Sequence, residues 1–248
     1  MPNIKMTIAY DGRKYMGFSE RKGNPDKSIQ GKLEMILSRM YNTHVEIMSA
    51  CNTEAGVHAK QQIVNFIAPD DTYDETGIFE YFEKYLPDDI ILLKVEAADE
   101  RFHSRYLVKT LTFEYRIWKK DAPRRPLFDR HYVNVLNQTV DVRKMKDAAI
   151  DLIGEHDFVV FSTNSKAKNT VKKVYEVAIE ETECEVIITM TASGFLLNME
   201  RLIVGTLIQV GTGQLPVNTI QKALSTGKET HVGHKAMCDA LSLVAVNY

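Results

Sequence analysis

The segment Ala50-Cys51-Asn52-Thr53-Glu54-Ala55-Gly56-Val57-His58-Ala59 sets one carboxylate and one imidazole among small residues. A carboxylate can serve as a nucleophile or as a base, and Gly56 suits a tight loop facing a cleft. Taken alone, the segment reads more simply as a structural loop. Two further side chains stand out. Tyr115 sits in the β-rich run Thr110 to Trp118, where a packed aromatic is the ordinary reading. Arg201 lies three residues after Asn198 and interrupts an apolar helical face, which favours a cleft or an ion pair over open solvent.

Other chemistries lack their residues. There is no G-x-x-x-x-G-K-[ST], no complete dinucleotide fingerprint at Gly211-Thr212-Gly213, and no H-E-x-x-H or G-x-S-x-G. Cys51, Cys184 and Cys238 are widely spaced and odd in number, which argues against a disulfide framework and a zinc site. They fit a reducing compartment, so a cytoplasmic location is expected. No apolar run approaches the ~18 residues a membrane span needs, and neither a membrane helix nor a secretory leader is expected.

Net charge is −2, so composition alone points to no nucleic-acid partner. The distribution says more. Arg105 to Arg130 hold eight basic residues against three acidic, and Lys166, Lys168, Lys172 and Lys173 form a second cluster, while acids gather between Asp70 and Glu100. A basic stripe on an acidic chain binds phosphates locally.

The elements that must carry these residues follow from periodicity. Ile4 to Ile8 alternates as a strand before the Asp11-Gly12 turn. Ser28 caps a helix with Ile29, Leu33, Ile36, Leu37 and Met40 on one face. Val45 and Ile47, then Gln62, Val64 and Phe66, mark two strands. A helix through Ile78 and Phe82 ends before Pro87, and Ile90 to Val95 is a strand. The second half repeats the order: the run to Trp118, a helix capped by Asp141 and running through Leu152, a hairpin of Val174–Ile179 and Val186–Met190, a helix from Phe195 to Leu207, and a last strand from Ser242 to Tyr248. The predicted class is α+β: two ferredoxin-like β-α-β-β-α-β lobes, with mixed, largely antiparallel sheets forming a central cleft. Residues 1–105 form the N-terminal lobe with the loop, and residues 106–248 the C-terminal lobe.

The chain resembles the TruA-type tRNA pseudouridine synthases in seven collinear blocks. The loop matches their G-R-T-D-A-G-V-H-A at Thr53, Ala55, Gly56, Val57, His58 and Ala59. The opening Tyr10-Asp11-Gly12 with Tyr15, Gly17 and Phe18, then Ser28-Ile29-Gln30-Gly31 with Leu33 and Glu34, Arg101 to Tyr106, Phe113 to Ile117, Gly154 to Phe158, and Phe195 to Arg201 with Ile203-Val204-Gly205 resemble further family blocks. The resemblance implies conversion of a uridine in the tRNA anticodon arm to pseudouridine. The uracil leaves C1′ through N1, turns and rejoins through C5, with no metal and no cofactor. It implies that Glu54 stands where the family's catalytic Asp acts, that Tyr115 is the aromatic that stacks on the flipped base, and that Arg201 is the Arg paired with the carboxylate. The resemblance also implies Asn52, His58, Arg105, Lys109 and Arg116 as an RNA-binding set, tRNA as the partner and a homodimer as the assembly.

The departures cluster. Glu54 replaces Asp, Asn52 replaces Arg and Cys51 replaces Gly at the head of the loop. The extra methylene moves the carboxylate by roughly 1 Å, enough to cost on the order of a hundredfold in rate where a near-attack geometry is needed. The family's W-Q-R-Q becomes Phe18-Ser19-Glu20-Arg21, Glu200 replaces an apolar residue beside Arg201, and Met237-Cys238-Asp239-Ala240 replaces a proline-rich approach to the last strand. Three functions compete: a working synthase using Glu54, an impaired or inactive paralogue that binds tRNA or other RNA without modifying it, and a protein-interaction subunit.

Overall fold

The computed structural model describes residues 1–19, 24–164, 166 and 168–248; of the departures above, Glu20 and Arg21 lie outside these. The chain divides into two compact units, Met1–Lys109 with Ser242–Tyr248, and Thr110–Leu241. The division falls a few residues after position 105, and the last seven residues return to the first unit. No helix among the described residues is long and apolar enough to cross a membrane.

The first unit runs β1 (Asn3–Tyr10), α1 (Ile29–Tyr41), β2 (Met48–Ser49), β3 (His58–Ile67), α2 (Glu75–Tyr85) and β4 (Ile90–Ala98). This is the expected β-α-β-β-α-β order. β1 lies between β4 and β3, antiparallel to both, and β2 pairs antiparallel with β3. The period-two pattern has its usual cause: Ile4, Met6, Ile8 and Tyr10 are all buried, as are Leu33 and Leu37 of α1 and Ile78 and Phe82 of α2. The Ser28 hydroxyl accepts from the Gly31 amide at 3.0 Å, and the Asp74 carboxylate from the Gly77 amide at 2.8 Å, so each helix starts on a side-chain cap. α1 ends at Asn42 in the left-handed region, at φ 53°.

Two buried polar groups tie the frame together. Glu34 on α1 accepts from the Ile47 amide and the Gln30 side chain, each at 2.9 Å, which fixes the chain just before β2. Asn3 and Asn65 bond each other at 2.9 Å, and Asn65 accepts from the Ser104 amide at 2.9 Å, holding residues 101–106 against β1 and β3. The C-terminal strand Leu241–Asn247 pairs in parallel with the start of β3, Ser242 opposite His58 and Leu243 opposite Ala59.

The second unit contains β5 (Thr110–Trp118), β6 (Asn134–Val135), α3 (Val142–Ala149), β7 (Gly154–Asp157), β8 (Val171–Glu181), β9 (Glu185–Ala192), α4 (Met199–Gly211) and α5 (Thr219–Thr226). β5, β9, β8 and β7 pair antiparallel in that order, with β6 parallel to β5. Asp141 caps α3 as expected, accepting from the Lys144 amide at 3.1 Å. The helix does not run unbroken to Leu152; its last turn, Ile150–Leu152, tightens to a 3-10 turn. Phe195 lies outside α4 and packs edge-on against Phe113 at 5.2 Å.

The Ser28 cap gives a direct test. Ser28→Ala should lower unfolding free energy by about 1 kcal/mol, read as a shifted denaturant midpoint at constant slope.

Candidate active site

The loop carrying Glu54 joins β2 to β3 and is held on both sides. The Ala50 amide donates to the Ile63 carbonyl at 2.9 Å, and the Gln62 side chain donates to the Cys51 carbonyl at 2.8 Å. From the opposite side, the Phe18 amide donates to the Thr53 carbonyl at 2.9 Å, and the Tyr10 and Thr53 hydroxyls share a bond of 2.7 Å. Burial drives the Tyr10 hydroxyl far above its ordinary pKa, with the Cys51 thiol the next contribution, so it stays protonated. The Val57 amide donates back to the Glu54 carbonyl at 3.1 Å, and Gly56 takes φ 80° to complete the turn.

Close backbone approach makes this clasp possible. A Cβ at Gly12 would stand 2.0 Å from the Val57 oxygen, and one at Gly17, already at φ 111°, would stand 2.9 Å from the Thr53 oxygen. The opening block of the sequence thus wraps the loop that lies about forty residues later. Glu54 is half-buried and Asn52 is exposed, its side-chain oxygen accepting from Ser49 at 3.0 Å.

His58 serves the same clasp. It is 5% exposed, and its Nδ1 accepts from the Gly12 amide at 3.2 Å, 3.3 Å from an Asp11 oxygen. The Gly12 amide and the Asp11 carboxylate thus both face Nδ1, which ties the imidazole to the Asp11-Gly12 turn. A cavity of about 320 Å³ in the first unit brings together Asn52, Ser49, Gln30, His103, Arg105 and Tyr106. Asn52 and Arg105 therefore share one polar hollow beside the loop. Lys109 is exposed, with its amide donating to the Asn247 carbonyl at 2.8 Å. Arg116 is committed elsewhere: its guanidinium forks onto Glu185 at 2.8 and 2.7 Å and reaches Asp129 at 3.1 Å. Its partners lie 13 and 69 residues away, which no local pattern reveals.

In the second unit Tyr115, midway along β5, has no exposed surface. Burial pushes its hydroxyl well above the ordinary pKa, against milder pulls from Asn134 and Arg201. Asn134 nevertheless falls short of hydrogen-bonding geometry, and the hydroxyl is one of three buried side-chain polar atoms among the described residues without a partner. Arg201, in the first turn of α4, donates through Nε to the Ala236 carbonyl at 2.8 Å and through a terminal nitrogen to Asn198 at 3.3 Å. The Ala236 amide returns a bond to the Arg201 carbonyl at 3.0 Å.

The segment supplying Ala236 is laid across α4. The Gly233 amide donates to Thr206 at 2.8 Å and the His234 amide to Gln209 at 2.9 Å, and a Cβ at Gly205 would stand 1.6 Å from the His234 oxygen. Asn198 precedes α4 in the left-handed region and donates to Thr163 at 2.6 Å. Glu200 is 8% exposed. Cys238, within the departing Met237-Cys238-Asp239-Ala240 run, has its thiol pushed up by burial and then by Asp239. Sequence reasoning had no signal for the 231–236 strap, because its partners on α4 lie 25 to 35 residues away. Among the described residues no cluster of three or more His, Cys, Asp or Glu side chains is placed to hold a metal ion.

Gly12→Ala should distort the Glu54 loop, since the obstructing atom is a backbone oxygen. We expect about 1–3 kcal/mol of destabilisation in chemical unfolding, together with faster amide exchange at Val57.

Residues 148–248 match the family model described as tRNA pseudouridine synthase. A "tRNA pseudouridine synthase A 2" of Bacillus anthracis is 39% identical over 249 residues, covering all of both chains. A "tRNA pseudouridine synthase A" of Bacillus sp. (strain KSM-64) is 36% identical over 94% of each chain, and that of Acetivibrio thermocellus is 34% identical over all of both. Among solved structures, a chain of the archaeal box H/ACA sRNP Nop10-Cbf5 complex is 11% identical and covers 95% of this chain and 58% of its own, at a TM-score of 0.39, too low to bear on the fold. With a clasped signature loop and full-length identity above 30%, the chain belongs to the TruA-type tRNA pseudouridine synthase family.

Proposed function

We propose that this protein isomerises a uridine of the tRNA anticodon arm to pseudouridine, in the cytoplasm and as a homodimer, with Glu54, Tyr115 and Arg201 in the roles the family resemblance gives them. The observation that carries the reading is the loop clasp. Gly12 and Gly17 approach the backbone that bears Glu54 too closely to admit a Cβ, the Tyr10 and Thr53 hydroxyls bond across it, and Gly56 takes the positive φ of its turn. Those contacts are independent of what residue 54 carries. The carboxylate keeps its charge and reaches about one bond further than Asp would.

The reaction needs no metal or cofactor on this reading. The N1–C1′ bond breaks, the freed uracil turns, and a C5–C1′ bond forms as the C5 proton is released. A carboxylate near the sugar serves either as nucleophile to C1′ or as base. Tyr115 has no exposed surface, so a uridine reaches its ring only after the side chains over it move aside. Of the RNA-facing set, Asn52, Arg105 and Lys109 stand at the surface. His58 and Arg116 act through the fold instead, one in the loop clasp and one in its ion pairs.

The substitutions at Cys51 and Asn52 favour a second reading, a paralogue that binds tRNA and modifies it weakly or not at all. Chemical mapping of pseudouridine after incubation with unmodified tRNA separates the two. The first reading expects product from the native chain and none from Glu54→Gln, which keeps size and removes charge. Salt-sensitive tRNA binding with no product at stoichiometric protein would establish the second.

A further inference from the structure

The eight basic residues between Arg105 and Arg130 do not form one surface. Arg116 is held by Glu185 and Asp129, and Lys119 bonds Glu181 at 2.9 Å and the Thr182 carbonyl at 3.0 Å. Lys120, Arg124 and Arg125 are exposed, and among the described residues no carboxylate pairs with them. Between them and Arg130 stand two large apolar side chains in open solvent, Leu127 at 64% and Phe128 at 87% exposure.

The loop that displays them is built, not loose. The Trp118 indole donates to the Arg124 carbonyl at 2.9 Å, the Tyr132 amide to the Asp129 carbonyl at 2.7 Å, and the Arg130 guanidinium to the Leu127 carbonyl at 3.0 Å. Trp118, Val133 and Cys184 form a small buried core beneath it, with Ala122 packed against them. Asp129, the acid nearest the apolar pair, is held by Arg116. One hydrogen-bonded segment thus exposes an aromatic ring together with Lys120, Arg124 and Arg125, with Asp121 the one other exposed charge beside Lys120.

We propose that residues 120–130 form a second tRNA contact, in which Phe128 stacks on an unpaired base while Lys120, Arg124 and Arg125 engage the flanking phosphates. Flat rings accept any base face, and arginines and lysines supply the sequence-independent attraction to the backbone. A second copy of the chain fits less well. A two-fold contact centred on Phe128 would bring two copies of the same cationic segment together, and two side chains are a small fraction of the ~1,000 Å² a stable interface needs. The proposal rests on tRNA being the partner, as in the preceding reading.

The test measures tRNA binding at several salt concentrations for the native chain, Phe128→Ala, Phe128→Leu, Phe128→Trp and the double variant Arg124→Ser/Arg125→Ser. Phe128→Ala and Phe128→Leu should each weaken binding by roughly 5- to 150-fold with an unchanged salt slope, the range stacking accounts for. Phe128→Trp should retain affinity, with its fluorescence quenched by tRNA. The arginine variant should lower the salt slope by about 1.5–2. Native-like binding by every variant, with no quenching, overturns this proposal alone. So does native-like binding by Phe128→Leu accompanied by dissociation of an oligomer in Phe128→Ala, since that marks an apolar protein contact. Failure of the native chain to bind tRNA at low salt overturns both this proposal and the reading beneath it.

Discussion

The approach of Gly12 to the Val57 carbonyl is the contact on which the course of the Glu54 loop depends. No side chain fits there; a Cβ would lie 2.0 Å from the oxygen. Because the two backbones touch, the Gly12 amide also reaches His58, and Tyr10 and Phe18 reach Thr53. The backbone that carries Glu54 is therefore held by contacts made on either side of it in the loop.

The second unit uses a comparable device. Gly205 admits the chain at His234 against α4, and the exchanged bonds between Arg201 and Ala236 follow from that approach. The Ala236 carbonyl and the Asn198 side chain both help to orient the Arg201 guanidinium. Tyr115 brings the opposite feature, a buried hydroxyl without a partner. Such a group costs about 1–3 kcal/mol and is the kind of local loss found where function constrains a site.

Much of this was legible in the residues. Strand alternation from Ile4 to Tyr10, the Ser28 and Asp141 caps, and the Val171–Glu181 and Glu185–Ala192 hairpin all obey local rules that act within a few residues. The Glu54 loop was visible through its glycine and its family pattern. What escaped was long-range. The ion pairs of Arg116 join residues 69 apart, so an RNA-facing arginine and an internal one look alike in sequence. His58 reads as a polar loop residue until Gly12 is folded against it. The last strand, expected within the C-terminal lobe, pairs with the start of β3 because its partner is chosen by tertiary packing.

The central claim is that the framework is sound and that the reach of the carboxylate at position 54 governs the rate. The single-turnover rate of pseudouridine formation in Glu54→Asp, compared with the native chain on the same unmodified tRNA, tests it most directly. The account predicts a faster Glu54→Asp, by up to on the order of a hundredfold, the scale that ~1 Å of misplacement costs. A variant that is slower than the native chain, or equally slow, would contradict it.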